Sequence, residues 1–167
     1  GSGKTRALTY KIAYELERLT NSKKIIIAVT FTNRAADEIK KRIRELNTDD
    51  TNLWAGTIHS FCLEWILRPY MCYLDELKNG FSISDEYNSE NLMSELKKTY
   101  GLNFWDSVST KYLPNGEKEE VVYRELLDEY HETLASKKLI DFDQILHYAH
   151  QLILAYPKIS EILKNMF

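Results

Sequence analysis

The first residues of the chain show apolar positions that recur with a helical period. Leu8, Ile12, Leu16 and Leu19 are separated by four, four and three residues, while the positions between them are mostly polar. This spacing places the four side chains on one face and predicts an amphipathic helix.

The next pattern changes from helical spacing to a continuous apolar run, IIIAVTF at residues 25–31. Such a run is typical of a strand that is buried on both faces of a parallel sheet. The segment LWAGT at 53–57 predicts a short second strand. Between them a second helix is expected, with Thr32 or Asn33 as its cap. Its buried stripe comprises Ala36, Ile39, Ile43 and Leu46.

A third helix is predicted over SFCLEWILRPY, residues 60–70, with Pro69 near its end. The order is then helix, strand, helix, strand, helix, and a leading strand is expected before Gly1. This alternation predicts α/β layering around a parallel sheet.

The pattern after Tyr70 is almost entirely helical. Only FSIS at 81–84 resembles a strand, and Asn115-Gly116 predicts a turn. Asp141 is placed to cap one of the helices, and Pro157 to open the last. The predicted helices cover residues 89–100, 119–139, 141–156 and 157–167.

Composition and charge exclude some classes of protein. The 167 residues carry a net charge of −3 and are 44% hydrophobic, so nucleic-acid binding would have to use a local surface. The apolar runs are far too short to span a membrane. Two cysteines, Cys62 and Cys72, mark no secreted disulfide framework. We therefore expect a cytoplasmic protein with no membrane partner.

The opening residues GSGKT at 1–5 carry the first candidate chemistry. Glycines allow the backbone to approach phosphates, and the amides at a helix start meet their negative charge. A lysine such as Lys4 reaches the terminal phosphates, and a hydroxyl such as that of Thr5 ligates Mg²⁺. The pattern G-x-x-x-x-G-K-[ST] is incomplete here, because its first glycine would precede residue 1. On these residues alone, a Gly-Ser tag remnant is the alternative.

Two further candidates follow strands. In TFTN, Phe31 can stack on a base, and Thr30, Thr32 and Asn33 can bind phosphate; alternatively Phe31 is a core residue and Thr32 or Asn33 a simple cap. In GTIHSF, the residues that can contact phosphate are Thr57, His59 and Ser60. A single histidine near a helix start is more often structural.

The segment LIDFDQIL at 139–146 holds a pair of carboxylates, Asp141 and Asp143. Helix capping and complementarity to the helix dipole explain both. His147 and His150 share a helical face; a metal site is one interpretation, but no further ligand at a recognisable spacing completes it, which favours a surface pair.

The four motifs occur in a recognisable order. GSGKTR, AVTFTNRAADEIKKRI, GTIHSF and LIDFDQIL together resemble the opening of a UvrD/Rep/PcrA-type superfamily I DNA helicase. The resemblance runs nearly end to end, although residues 71–135 match more in the order of predicted elements than in residue identity. Ile58 stands where the family usually has Phe, and Arg34 where Lys is frequent. The resemblance favours a true phosphate loop over a tag remnant.

The resemblance implies a P-loop NTPase (RecA-like) fold with a partial parallel sheet and a mostly α-helical inserted subdomain. Residues 1–68 would belong to the motor domain, 69–138 to the insertion and 139–167 to the return. It also implies ATP and Mg²⁺ as cofactors and single-stranded and duplex DNA as partners. The nucleotide site would comprise Gly1, Ser2, Gly3, Lys4, Thr5 and Arg6, with Lys4 catalytic and Thr5 on the metal. The DNA site would comprise Thr30, Phe31, Thr32, Asn33, Thr57, His59 and Ser60.

The family's remaining machinery is expected outside residues 1–167. It includes an acidic box that positions Mg²⁺ and water, an adenine-reading Gln motif and a second RecA-like domain with its arginines. Because phosphoryl transfer depends on such groups, we expect these residues alone to hydrolyse ATP barely or not at all. The parent would be a helicase with 3′→5′ polarity acting in DNA repair. A RecB/AddA-type helicase–nuclease and a non-catalytic nucleotide- or DNA-binding module are the alternatives.

Overall fold

A computed structural model describes residues 3–21 and 23–167, with Lys4 described through its backbone alone. The chain divides into two compact units. The first contains the residues up to Phe61 together with Tyr156–Phe167, and the second is Cys62–Ala155. The elements in chain order are α1 (Lys4–Arg18), β1 (Ile26–Thr30), α2 (Asn33–Glu45), β2 (Leu53–Thr57), α3 (Ile58–Phe61), a π-helical segment (Cys62–Leu67), α4 (Arg68–Tyr70), a 3-10 turn (Met71–Tyr73), β3 (Ser82–Ile83), α5 (Glu86–Thr99), α6 (Arg124–Ser136), β4 (Leu139–Ile140), α7 (Phe142–Ala155) and α8 (Pro157–Met166).

The first unit is built around the parallel pair β1 and β2. Helix α2 connects the two strands, as expected of a parallel crossover. Its N-terminus is fixed locally, because the Thr32 hydroxyl accepts a hydrogen bond from the Ala35 amide at 3.2 Å. The predicted cap and strand pairing are therefore confirmed. The core of this unit comprises Ile12, Ala13, Ala28, Ala36, Ile39, Ile43 and Ala55.

The prediction that β1 is buried on both faces is wrong. Ala28 is buried, but Val29 is 50% exposed. Neighbouring side chains of a strand point to opposite faces, so the face that carries Val29 is open to solvent. A second expectation also fails in part, since Leu46 at the end of the α2 stripe is exposed while Ile43 is fully buried.

The last residues of the chain pack into the first unit. The Ile25 amide donates a hydrogen bond to the Met166 carbonyl at 2.8 Å, directly before β1 begins. The Lys24 ammonium reaches the Phe167 carbonyl, also at 2.8 Å. The rings of Phe61 and Phe167 lie 5.7 Å apart. Helix α8 opens at Pro157, as the sequence predicts.

The second unit is mostly helical, with one very short parallel pair, β3 and β4. One of its buried clusters comprises Leu96, Leu126, Leu127, Tyr130 and Leu134, from α5 and α6. Asp141 caps α7, because its Oδ1 accepts a hydrogen bond from the Gln144 amide at 2.8 Å. The predicted turn is also present: Gly116 has a φ of 86°, and a bridge joins Tyr112 to Lys118.

Helix α6 is shorter than the predicted helix over 119–139. Its start is delayed to Arg124 because the Glu120 carboxylate accepts hydrogen bonds from the amides of Val122 and Tyr123. These two bonds hold the preceding residues in a turn. The same carboxylate accepts a hydrogen bond from the Ser109 amide.

The helix predicted over 60–70 is not regular. Its middle, Cys62–Leu67, is π-helical and is followed by the single turn Arg68–Tyr70. Pro69 has no N–H to donate to the carbonyl four residues earlier, which weakens α-helical geometry over this stretch.

Taken together, the described residues form a mixed α/β structure with short parallel sheets. The RecA-like assignment and the division at residues 68 and 138 stay predictions. None of the helices in the described part of the chain is long and apolar enough to cross a membrane.

Candidate functional site

The N-terminus of α1 is open to an anion. Gly3 precedes the helix in the left-handed region, with a φ of 68°, and none of the described side chains caps the first turn. There is also no acidic residue in that turn. Because the first amides of a helix have no partner within it, they remain able to bind a negatively charged group. The arrangement fits a phosphate.

The side chains of the predicted nucleotide site are placed only in part. Thr5 and Arg6 are exposed, and the Arg6 guanidinium lies 5.6 Å from the centre of the Tyr10 ring. Gly1, Ser2 and the side chain of Lys4 lie outside the described residues. The assignments of Lys4 to catalysis and of Thr5 to the metal stay predictions.

The two predicted DNA motifs meet at one edge of the β1–β2 sheet. Thr30, the last residue of β1, is the register partner of Thr57, the last residue of β2. Neighbouring strands lie about 4.8 Å apart. Both motifs therefore leave the sheet side by side at its carboxyl edge, where ligands bind in open α/β folds.

Phe31 is fully exposed immediately after β1, with a relative accessibility of 104%. The alternative interpretation, that Phe31 is a core residue, is therefore wrong. Asn33 is also exposed, in the first turn of α2. Base stacking by Phe31 stays a prediction. The whole Phe31 ring is accessible to a base.

The hydroxyl groups of Thr30 and Thr32 differ in whether their proton is free to be donated to a ligand. Thr30 Oγ1 donates to the Thr32 carbonyl at 2.9 Å, so its proton is already used. Thr32 Oγ1 accepts a hydrogen bond as the cap of α2, which leaves its own proton for an external acceptor. The interpretation of Thr32 as a cap is confirmed and is compatible with phosphate binding.

The second motif is more enclosed. Thr57 Oγ1 accepts a hydrogen bond from the Ser60 amide at 3.2 Å and lies 2.9 Å from Ser60 Oγ. His59 is half-buried. These contacts hold the start of α3 against the end of β2.

A comparison with known families decides the assignment. The model of the UvrD/REP helicase N-terminal domain matches residues 1–112. The chain belongs to the UvrD/REP helicase family. This match covers the sheet edge, the helix start at Gly3 and most of the segment that precedes α6.

Individual helicases are similar over the whole chain. DNA helicase II of Salmonella typhimurium is 31% identical, the UvrD1 helicase of Mycobacterium leprae 29%, and the PcrA helicase of Staphylococcus aureus 28%. Each alignment covers 100% of this chain and 24–25% of the relative. The chain thus spans about a quarter of the length of these relatives.

One residue of this UvrD/REP chain was not among the predicted contacts. Arg34 follows Asn33 in the first turn of α2 and is exposed. A cation beside a fully exposed aromatic is a common arrangement where proteins hold single strands. The signal in the sequence is the basic residue directly after TFTN.

The remaining candidates have structural partners. Thr110 Oγ1 donates to Asp143 Oδ2 at 2.5 Å. The His147 ring stacks on Tyr112 at 3.8 Å, and its Nε2 lies 2.9 Å from Gln151 Nε2. Desolvation lowers the pKa of His147. No group of three or more metal-ligating side chains occurs among the residues that the structure describes.

The thiol of Cys62 is not suited to nucleophilic chemistry. Cys62 is buried, and desolvation raises the pKa of its thiol to about 11. A thiol with a raised pKa is a weak nucleophile at neutral pH. Cys72 is exposed.

Proposed function

We propose that this chain is the N-terminal part of an ATP-dependent DNA helicase. It would bind nucleotide phosphates at the start of α1 and single-stranded DNA at the carboxyl edge of the β1–β2 sheet. The relatives that support the proposal are named as DNA helicases, two of them as ATP-dependent.

The observation that carries the DNA part is the register of Thr30 with Thr57. It brings two motifs that are 27 positions apart in the sequence to adjacent strand ends. A contiguous edge is what a single strand requires, because its phosphates and bases follow one another along a line.

The side chains of this edge would contact different parts of the nucleic acid. The exposed Phe31 ring offers a face on which any base can stack, so the contact tolerates sequence. Asn33, Arg34 and the Thr32 hydroxyl would bind phosphate oxygens. Thr57, His59 and Ser60 would position the adjoining nucleotide, with Thr30 supporting the edge from within.

The nucleotide part rests on the uncapped helix start at Gly3. Its amides would bind phosphate oxygens, Lys4 would neutralise the terminal phosphates, and Thr5 would ligate Mg²⁺. Arg6 would lie beside the nucleotide. ATP supplies the phosphoanhydride bond whose hydrolysis drives the motor in the whole protein.

Several finer features of this proposal rest on the family resemblance. They are a 3′→5′ polarity, a role in DNA repair, contact with duplex DNA, and the assignment of 1–68, 69–138 and 139–167 to motor domain, insertion and return. The acidic box and second motor domain would complete the enzyme outside residues 1–167, and these residues alone would hydrolyse ATP barely or not at all. A cytoplasmic location stays a prediction of the sequence.

The test is binding of a fluorescein-labelled oligo(dT) of about 10 nucleotides, followed by anisotropy across a salt series. Phe31→Ala should lose about 1–3 kcal/mol of binding free energy, while Phe31→Trp should retain it. Tyr87→Ala is the matched control, because Tyr87 is also an exposed aromatic but lies on α5. Equal binding by wild type and Phe31→Ala, or no binding by a chain that circular dichroism shows to be folded, would contradict the DNA proposal.

A further inference from the structure

The two units carry opposite charge, which the net charge of the whole chain conceals. Residues 62–155 contain 17 Asp and Glu against nine Lys and Arg, a net charge of −8. The other residues contain 13 Lys and Arg against eight Asp and Glu, a net charge of +5. A surface dominated by carboxylates repels nucleic acid and attracts cations. The second unit is therefore suited to a positively charged partner.

A groove runs along α5 in this acidic unit. It consists of two adjoining cavities of about 420 and 390 Å³ that share Ser89, Glu90, Thr110 and Tyr130. We call it the α5 groove. All of its lining residues belong to the second unit.

One end of the α5 groove is acidic. Among the described residues, those that line it include Glu86, Glu90, Asp141 and Asp143, but no lysine or arginine. Within the described residues, neither Glu86 nor Glu90 takes part in a salt bridge; both are exposed. Their charges are thus available to an incoming cation.

Asp141 adds an observation that is independent of this clustering. Asp141 is only 5% exposed, and its Oδ1 caps α7. Among the described residues, no donor lies at ordinary hydrogen-bond distance from Oδ2, and His131 Nε2 is 3.6 Å from it. The Tyr130 hydroxyl and the His131 ring face this carboxyl group. A buried carboxylate oxygen with no donor at ordinary hydrogen-bond distance is costly, so a closer donor delivered by a ligand at this end would be favourable.

The other end of the groove is apolar. Met93 and Val108 are half-buried there, and Phe104 is 75% exposed. Lys97 is the single basic residue that lines it, and its ammonium already donates to the Asp106 carbonyl at 2.5 Å. This end favours an aliphatic or aromatic side chain.

We propose that the α5 groove binds a short segment of a protein partner that carries an arginine or lysine followed by an apolar residue. The cation would lie between Glu86, Glu90 and Asp141, and the apolar side chain against Met93 and Phe104. From Glu86 to Met93 the helix rises about 10 Å. An extended chain covers that distance in about three residues, so the favoured spacing is Arg/Lys-x-x-Leu/Phe.

The probe is a synthetic peptide, acetyl-Gly-Arg-Ser-Ser-Leu-Gly-amide, added to the uniformly ¹⁵N-labelled chain. Saturable shifts should appear for the amides of α5 and of 104–110, with a dissociation constant of about 1 mM or below. Peptides with Arg replaced by Glu, or with Leu replaced by Ser, should bind at least about fivefold more weakly.

Matched variants distinguish a site from general attraction between opposite charges. Glu86→Gln with Glu90→Gln should weaken peptide binding about fivefold or more. Glu95→Gln with Glu125→Gln removes the same charge from exposed residues that do not line the groove, and should change binding less than about twofold.

Three results would overturn the proposal. They are the absence of saturable shifts at about 5 mM peptide, equal weakening by the two double variants, or shifts of the same amides by oligo(dT) instead of the peptide. Circular dichroism of each variant verifies that the groove is still folded. Because no residue of the sheet edge is changed, failure here is separable from failure of the DNA proposal.

Discussion

The two units bury their hydrophobic residues differently. Four of the seven core residues in the first unit are alanines, at positions 13, 28, 36 and 55. A buried cluster of the second unit, between α5 and α6, consists of four leucines and Tyr130; we call it the leucine cluster. Since stabilisation scales with the apolar area removed from water, the alanines of the first core contribute less than the leucines of the second unit.

This difference separates stability from function. The first unit, with its thinner core, carries the family motifs on an exposed sheet edge, and the fully exposed Phe31 adds no burial. The second unit has bulky packing and none of the predicted nucleotide or DNA residues. Phe31, which we assign to a base, can therefore be changed at little cost to the fold, whereas residues of the leucine cluster cannot.

The largest effect is expected in the leucine cluster. Leu126→Ala removes a side chain that is fully buried and should cost about 2–5 kcal/mol. Hydrogen exchange of amides in α5 and α6 measures the loss for this unit alone. Leu154→Ala, at a position that is 66% exposed, is the control and should stay within about 0.5 kcal/mol. Similar losses for both would mean that the cluster does not stabilise the unit.

An intermediate effect is expected at Gly56 in β2. A Cβ at this position would lie 2.6 Å from the Trp54 ring. Gly56→Ala should therefore overpack the first unit and cost about 1–3 kcal/mol in thermal or urea unfolding. Combining it with Trp54→Leu should recover part of the loss; a double variant that is simply additive would contradict the contact.

A smaller, pH-dependent effect is expected at Glu120. Hydrogen bonds from the amides of Tyr123, Ser109 and Val122 hold the pKa of this carboxyl below its ordinary value of 4.5. Its contribution is complete above about pH 4.5 and is lost as the pH falls through the lower pKa of the folded state. The protection factors of amides 109 and 122–123, taken relative to intrinsic exchange at each pH, should fall below that pH.

Glu120→Gln supplies the control for this effect. The variant cannot ionise, so the protection factors of these amides should lose their dependence on acid and stay low across the pH range. An unchanged acid dependence in Glu120→Gln would assign the effect to another carboxylate.

The smallest effect on stability is expected for Phe31→Ala. The ring is fully exposed, so the free energy of unfolding should change by less than about 0.5 kcal/mol. Calorimetry of wild type and variant measures this. A loss above about 1 kcal/mol would show that Phe31 stabilises the fold, and would weaken the separation between the two kinds of residue.

The sequence predicted best the features that depend on neighbouring residues. Capping by Thr32 and Asp141 follows from a short polar side chain placed just before an apolar stripe. Pairing of the two strands follows from the helix between them. These signals are local, so one sequence is sufficient to find them.

Features that depend on distant contacts were missed. The exposure of Val29 depends on what covers the sheet, and the late start of α6 depends on hydrogen bonds to Glu120. At the candidate site, the motif order predicted which residues are grouped. It did not predict that Thr30 directs its proton into the protein while Phe31 is fully exposed.

The pairing of Thr30 with Thr57 also determines where related chains can differ in length. The alignment with the Salmonella helicase spans 186 positions, more than the 167 residues of this chain, so it contains insertions. An insertion between Leu46 and Asn52 would leave the sheet edge intact, because strand pairing alone sets the separation of the two motifs. A single residue added inside either strand would turn its following side chains to the opposite face. Length variation should therefore be tolerated in the connection and selected against within β1 and β2.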